Sequence, residues 1–91
     1  MDYSYPLRPD WSTEEIIDAV AFFQAVEKAY ESTIKREEFM SAYRLFKTIV
    51  PSMAEEKTLF KEFEEVSGLN SYQVVKKAKA GIDGELLDMS R

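Results

Sequence analysis

The side chains best equipped for chemistry in this sequence are its carboxylates, 17 against 12 basic residues. Residues three or four positions apart share a helix face. Glu14 with Asp18, Glu27 with Glu31, and Glu62 with Glu65 meet that spacing. Oxygen ligands alone can hold Mg²⁺, so paired carboxylates of this kind could serve phosphate hydrolysis. The two most regular motifs, Glu15-x-x-Asp18 and Glu62-x-x-Glu65, lie 47 positions apart, with no basic or phosphate-binding loop beside them. The chain has no cysteine and no histidine. Their absence excludes a disulfide scaffold and a Cys/His zinc site. It also excludes a nucleophile served by a His base, and a His switch near neutral pH.

The paired acids are similar to those of all-α, magnesium-dependent nucleotide pyrophosphohydrolases, but their separation is much wider than in that family. Solvated helix faces account for the same residues. A calcium loop ending at Glu38 would begin at Glu27. It would then place Ala29 and Ser32 where a ligand and a glycine are needed. No catalytic, cofactor-binding or metal-ligating residue is assigned on these grounds.

A second constellation concerns binding. Phe63, Gly68, Leu69, Asn70 and Val74 stand near the offsets of a helix-turn-helix corner. Its second helix would present Tyr72, Lys76 and Lys79 on one strip, with Lys77 nearby, suited to phosphates and a base. Against this, Glu64 occupies the place of the small residue such a corner needs, and Glu62, Glu64 and Glu65 would repel a phosphate backbone. A Gly-capped corner with solvated lysines near a helix C-terminus, where they suit the macrodipole, is the preferred explanation of the pattern. Met40, on the polar side of its helix with Arg36, Arg44 and Lys47, is expected to be exposed. With Leu45 and the Leu86–Met89 segment it would mark a partner or dimer surface.

The elements that position these residues follow from the chain breakers. Prolines occur only at 6, 9 and 51, and glycines only at 68, 81 and 84. None interrupts a periodic segment. The first helix is expected from Thr13 to Glu31, opened by a Ser12/Glu15 capping box and a Trp11–Ile16 staple. Ile16, Ala19, Val20, Phe23, Val26 and Tyr30 form its stripe, widened by Phe22 and Ala29. The second, from Lys35 to Val50, carries Phe39, Ala42, Tyr43, Phe46, Ile49 and Val50 inward and ends at Pro51. The third starts from a Ser52/Glu55 box and stops at Gly68, with Leu59, Phe60, Phe63 and Val66 inward and Glu56 on the same line. The fourth, from Ser71 to Ala80, is capped by Asn70 and buries Val74, Val75 and Ala78. Tyr3, Tyr5, Leu7 and Trp11 form an N-terminal arm expected to pack back and cover Ile17. Residues 82–91 are expected to fray, with docking of Leu86, Leu87 and Met89 as the alternative.

The Met-Asp-Tyr start has no basic or apolar leader, and the longest apolar run, Ala19 to Phe23, is far too short to span a bilayer. The cytoplasm is the expected location. A net charge of -5 disfavours sequence-independent binding to nucleic acid or anionic lipid. That charge is uneven: the fourth helix carries three lysines and no acid.

Several stretches together carry a family resemblance. They are Tyr5-Pro6-Leu7 with Trp11-Ser12, Glu27-Lys28-Ala29-Tyr30-Glu31, Ile34-Lys35-Arg36-Glu37-Glu38, Tyr43-Arg44 with Phe46-Lys47, Ile49-Val50-Pro51-Ser52 with Ala54-Glu55-Glu56-Lys57, and Lys61 through Gly68. The chain from about Tyr3 to Lys79 resembles uncharacterised protein family 0223, the YktA-like small proteins of Bacillus-type bacteria. The resemblance implies a cytoplasmic helical bundle and no activity, cofactor or site.

The expected fold is all-α: one domain over residues 1–91, a small bundle of three main helices and a short fourth, with the arm (residues 1–11) laid on it. The expected function is non-enzymatic contact with another protein or a second copy of the chain, with no cofactor and no membrane. The candidate surface is Tyr72, Lys76, Lys79 and Met40. Nucleic-acid binding by the third and fourth helices is the alternative, and Mg²⁺-dependent nucleotide hydrolysis is a third reading.

Overall fold

Each helix begins where something takes up its first amide groups. In the computed structural model, which describes residues 3–89, α1 (Thr13–Glu31), α2 (Arg36–Ile49), α3 (Met53–Ser67) and α4 (Ser71–Ala80) form an all-α bundle. At α1 the Ser12 hydroxyl accepts from the Glu15 amide at 3.2 Å, and Glu15 Oε1 accepts from the Ser12 amide at 2.7 Å. Ser52 caps α3 through the Glu55 amide and Asn70 caps α4 through the Gln73 amide. Gly68, at φ 78°, ends α3 in the left-handed conformation that favours glycine.

α2 has no capping side chain, since Lys35 holds its N-cap position. The C-terminal segment does the work instead: over residues 82–89 the expected fraying is corrected, and the alternative of docking through Leu86, Leu87 and Met89 holds. Leu86–Leu87 (β2) pairs antiparallel with Ile34–Lys35 (β1), Ile34 opposite Leu87. The Glu85 carbonyl accepts from the Arg36 amide at 2.9 Å, and Glu37 Oε1 accepts from the Gly84 amide at 3.0 Å. Arg36 donates to the Ala78 carbonyl at 2.7 Å and to Asp83 at 2.6 Å. The Met89 amide donates to the Ala29 carbonyl near the end of α1. The segment thus closes the start of α2 and the end of α1, Arg36 of α2 closes the end of α4, and Leu87 is buried. Ser90 and Arg91 lie outside the described residues, as do Met1 and Asp2 of the arm.

The core is aromatic. Phe22 stacks on Phe46 with centroids 4.6 Å apart and on Phe60 at 5.6 Å, and it also touches Phe23, Phe39 and Tyr43. Phe23 meets Phe63 at 4.6 Å. Val66, expected inside, is half-exposed. Val66 lies on the same helix line as buried Leu59, seven positions earlier, but stands in the last turn of α3, beyond the packed stretch.

The arm crosses the α1–α3 seam. Tyr5 lies flat against Phe23 and Phe63, and Tyr3 stands edge-on to Phe63. Both phenols donate to Glu27, Tyr5 at 2.8 Å. Arg8 then grips Glu62 with two hydrogen bonds of 3.0 and 2.9 Å. The arm packs on the bundle as expected, but over Glu27 rather than Ile17, which stays 60% exposed. Removing residues 1–9 uncovers Phe23 and Phe63 and is expected to lower the melting midpoint by at least about 10 °C. An unchanged calorimetric melt would contradict this placement.

Candidate interaction surface between α3 and α4

Of the candidate surface residues Tyr72, Lys76, Lys79 and Met40, Tyr72 borders a groove of about 500 Å³ between α3 and α4. Met53, Glu56, Lys57, Phe60, Lys61 and Glu64 line it from α3, with Asn70 and Tyr72 opposite. Its floor is polar where apolar spacing would put a hydrophobe. Glu56 shares the inward line of Leu59, Phe60 and Phe63 and is only 3% exposed. A buried carboxylate needs a cation and donors, and α2 supplies both. Lys47 Nζ lies 2.5 Å from Glu56 Oε1, and the Tyr43 hydroxyl donates to both carboxylate oxygens at 3.3–3.4 Å. Lys47 reaches this point along its apolar stem and also touches the Pro51 carbonyl and Met53 Sδ.

Burial, and then the charge and hydrogen bond of Glu56, push the Tyr43 phenol up to about 12. Burial and Glu27 push Tyr5 to about 12 as well. An unfolded phenol ionises near 10, so above that pH the unfolded chain sheds protons that the folded one keeps. The contribution of these neutral phenols to stability is therefore full below pH 10 and is lost as pH rises towards 12. In an ultraviolet titration, Tyr5 and Tyr43 are expected to ionise together with alkaline unfolding. Phenylalanine at either position should remove its share. Free titration of both near pH 10 in the folded state would contradict their burial.

Of the exposed candidates, Tyr72 alone is in the groove lining. Tyr72 is 54% exposed and Lys76, one turn further along α4, is also exposed. Lys79 sits over the Tyr43 ring, 5.4 Å from its centroid, linking α4 to the groove floor. Met40 does not belong to this surface: it is 9% exposed. Its neighbours Arg36 and Tyr43 both contact α4, so the α2 flank taken for a solvent face is covered by that helix. The buried Lys47–Glu56 pair is what sequence reading missed. Its one signal was an acid in register with an apolar stripe.

The acid pairs are dispersed into separate tasks. Glu15 completes a helix cap, Glu27 holds the arm tyrosines, and Glu62 is clamped by Arg8, which keeps its carboxyl below the usual range. Glu38, the last position of the calcium-loop reading, faces Lys28 at 3.8 Å on the surface. Among the described residues no three acids cluster as metal ligands, and no helix is long and apolar enough to cross a membrane.

Comparison with known proteins places this geometry in a family. The sequence profile described as "Uncharacterised protein family (UPF0223)" matches residues 2–86. The UPF0223 protein of Lysinibacillus sphaericus is 60% identical over 87 residues, spanning 96% of this chain and 92% of that one. The UPF0223 protein YktA of Bacillus subtilis is 56% identical over 79 residues, 87% of this chain and 90% of its own. A Streptococcus thermophilus relative is 54% identical over 79 residues, 87% of this chain and 85% of its own. With a family profile covering nearly the whole length and relatives of matching size, the chain belongs to the UPF0223 family.

Proposed function

We propose that this protein acts without catalysis, by docking another protein in the α3–α4 groove. The observation that carries the reading is that exposed Met53 and Tyr72 line one groove with Phe60, Lys57 and Lys61. Interface cores favour Met and aromatic residues, with charges confined to the rim. The experiment is affinity capture from a Bacillus-type lysate with the wild-type chain and with a Tyr72→Ala/Lys57→Glu variant. A protein retained by the first and lost from the second, with both chains melting alike, is the expected result. Equal capture by both would contradict it.

The strip of Tyr72, Lys76 and Lys79 supports nucleic acid as a second reading. Glu64, which lines the groove with Tyr72, opposes an extended phosphate backbone. A gel shift at low salt that fades steeply as salt rises, and is lost on Lys76→Glu, would favour that reading over the first.

A further inference from the structure

The groove's chemistry narrows the partner, on the reading that it docks protein. The chain as a whole is acidic, at -5, yet the groove is not. Arg8, Lys28, Arg36 and Lys47 each face a carboxylate. Lys57 and Lys61 on the α3 wall have no such partner among the described residues, and neither does Lys76 on α4. The one acid buried in the lining, Glu56, is already neutralised by Lys47, which leaves Glu64 alone against the lysines. α4 adds to the field. Its first turn has no acidic residue, so the positive end of its dipole, beside the lining residue Asn70, is not offset. Between these charges lie Met53, Phe60 and Tyr72, an apolar bed for a large side chain.

We infer that the groove receives an acidic segment of a partner protein, with one large aliphatic or aromatic side chain seated on Met53, Phe60 and Tyr72 and flanking carboxylates meeting Lys57, Lys61 and Lys76. Complementary charge of this kind sets specificity and encounter rate, and the seated side chain supplies most of the affinity.

The test pans a displayed library of short random peptides against the full-length chain at low salt, then measures the winning peptide by fluorescence anisotropy. Enriched peptides are expected to place Asp or Glu on both sides of a single Phe, Trp, Leu or Ile. Lys57→Glu/Lys61→Glu is expected to weaken the winner by more than about tenfold, and Tyr72→Ala by about tenfold. Both variants should melt like the wild type. Winners weakened by Tyr72→Ala but without acid bias, or indifferent to the lysine reversal, would overturn the acidic partner and leave the docking groove standing. Winners indifferent to all three substitutions, or no winner at all, would overturn both. Tight binding of random-sequence DNA that competes with the winning peptide would overturn the inference in favour of nucleic acid.

Discussion

Truncating Phe22 to Ala is expected to destabilise the fold by about 3–5 kcal/mol, the range for a buried aromatic. Phe22 is fully buried and its ring touches five others drawn from α1, α2 and α3. Those rings are held by three different helices, so they cannot all collapse into the space without breaking other contacts. The full cavity cost therefore applies. A domain of this size has only about 5–15 kcal/mol to lose, so the melting midpoint should fall by roughly 15–30 °C. Urea denaturation checks the value. Ile17→Ala, on the exposed face of the same helix, serves as the control and should stay within about 0.5 kcal/mol of wild type. A loss below about 1 kcal/mol at Phe22 would mean that the aromatic cluster is not the centre of the core.

The second large effect lies at the groove floor. Glu56→Ala leaves Lys47 without its carboxylate and Tyr43 without its acceptor. Breaking a buried ion pair costs about 3–5 kcal/mol. The low end is expected here, because Lys47 can swing its ammonium back to water. Replacing both partners, Lys47→Met with Glu56→Leu, removes two desolvated charges at once and should recover most of the loss. If Glu56→Ala and the double variant were equally destabilised, the pair would contribute no coupling and the floor would be held by packing alone.

Most of this architecture is legible from residue types. The capping residues Ser12, Ser52 and Asn70, the stop at Gly68 and the apolar periodicity give α1, α3 and α4 their observed bounds, and α2 differs by one residue at each end. These signals are local: each depends on neighbours within a turn. What the sequence hid depends on partners distant along the chain. β1 and β2 have two residues each, too short for an alternating pattern, so the tail that caps α2 looked like a loose end. Met40 sits among basic residues on its own helix, and only the approach of α4 buries it. Ile17 stays exposed because the arm is drawn instead to Glu27 and to the flat faces of Phe23 and Phe63. At the candidate site, Tyr72, Lys76 and Lys79 were visible as one strip of a helix. The groove that Tyr72 borders was not, because its opposite wall belongs to α3 and its floor to a Lys47–Glu56 pair nine residues apart in sequence.

The claim that the α3–α4 groove is where this protein meets its partner is tested most directly by a photo-crosslinking amino acid placed at position 72 in living Bacillus-type cells, with the same probe at Ile17 on the exposed face of α1 as the comparison. The account predicts that light converts a large share of the position-72 chain into one discrete adduct with a different protein, that the Ile17 probe gives little of it, and that Lys57→Glu/Lys61→Glu abolishes it. Equal yields at the two positions, or no adduct at position 72, would contradict it.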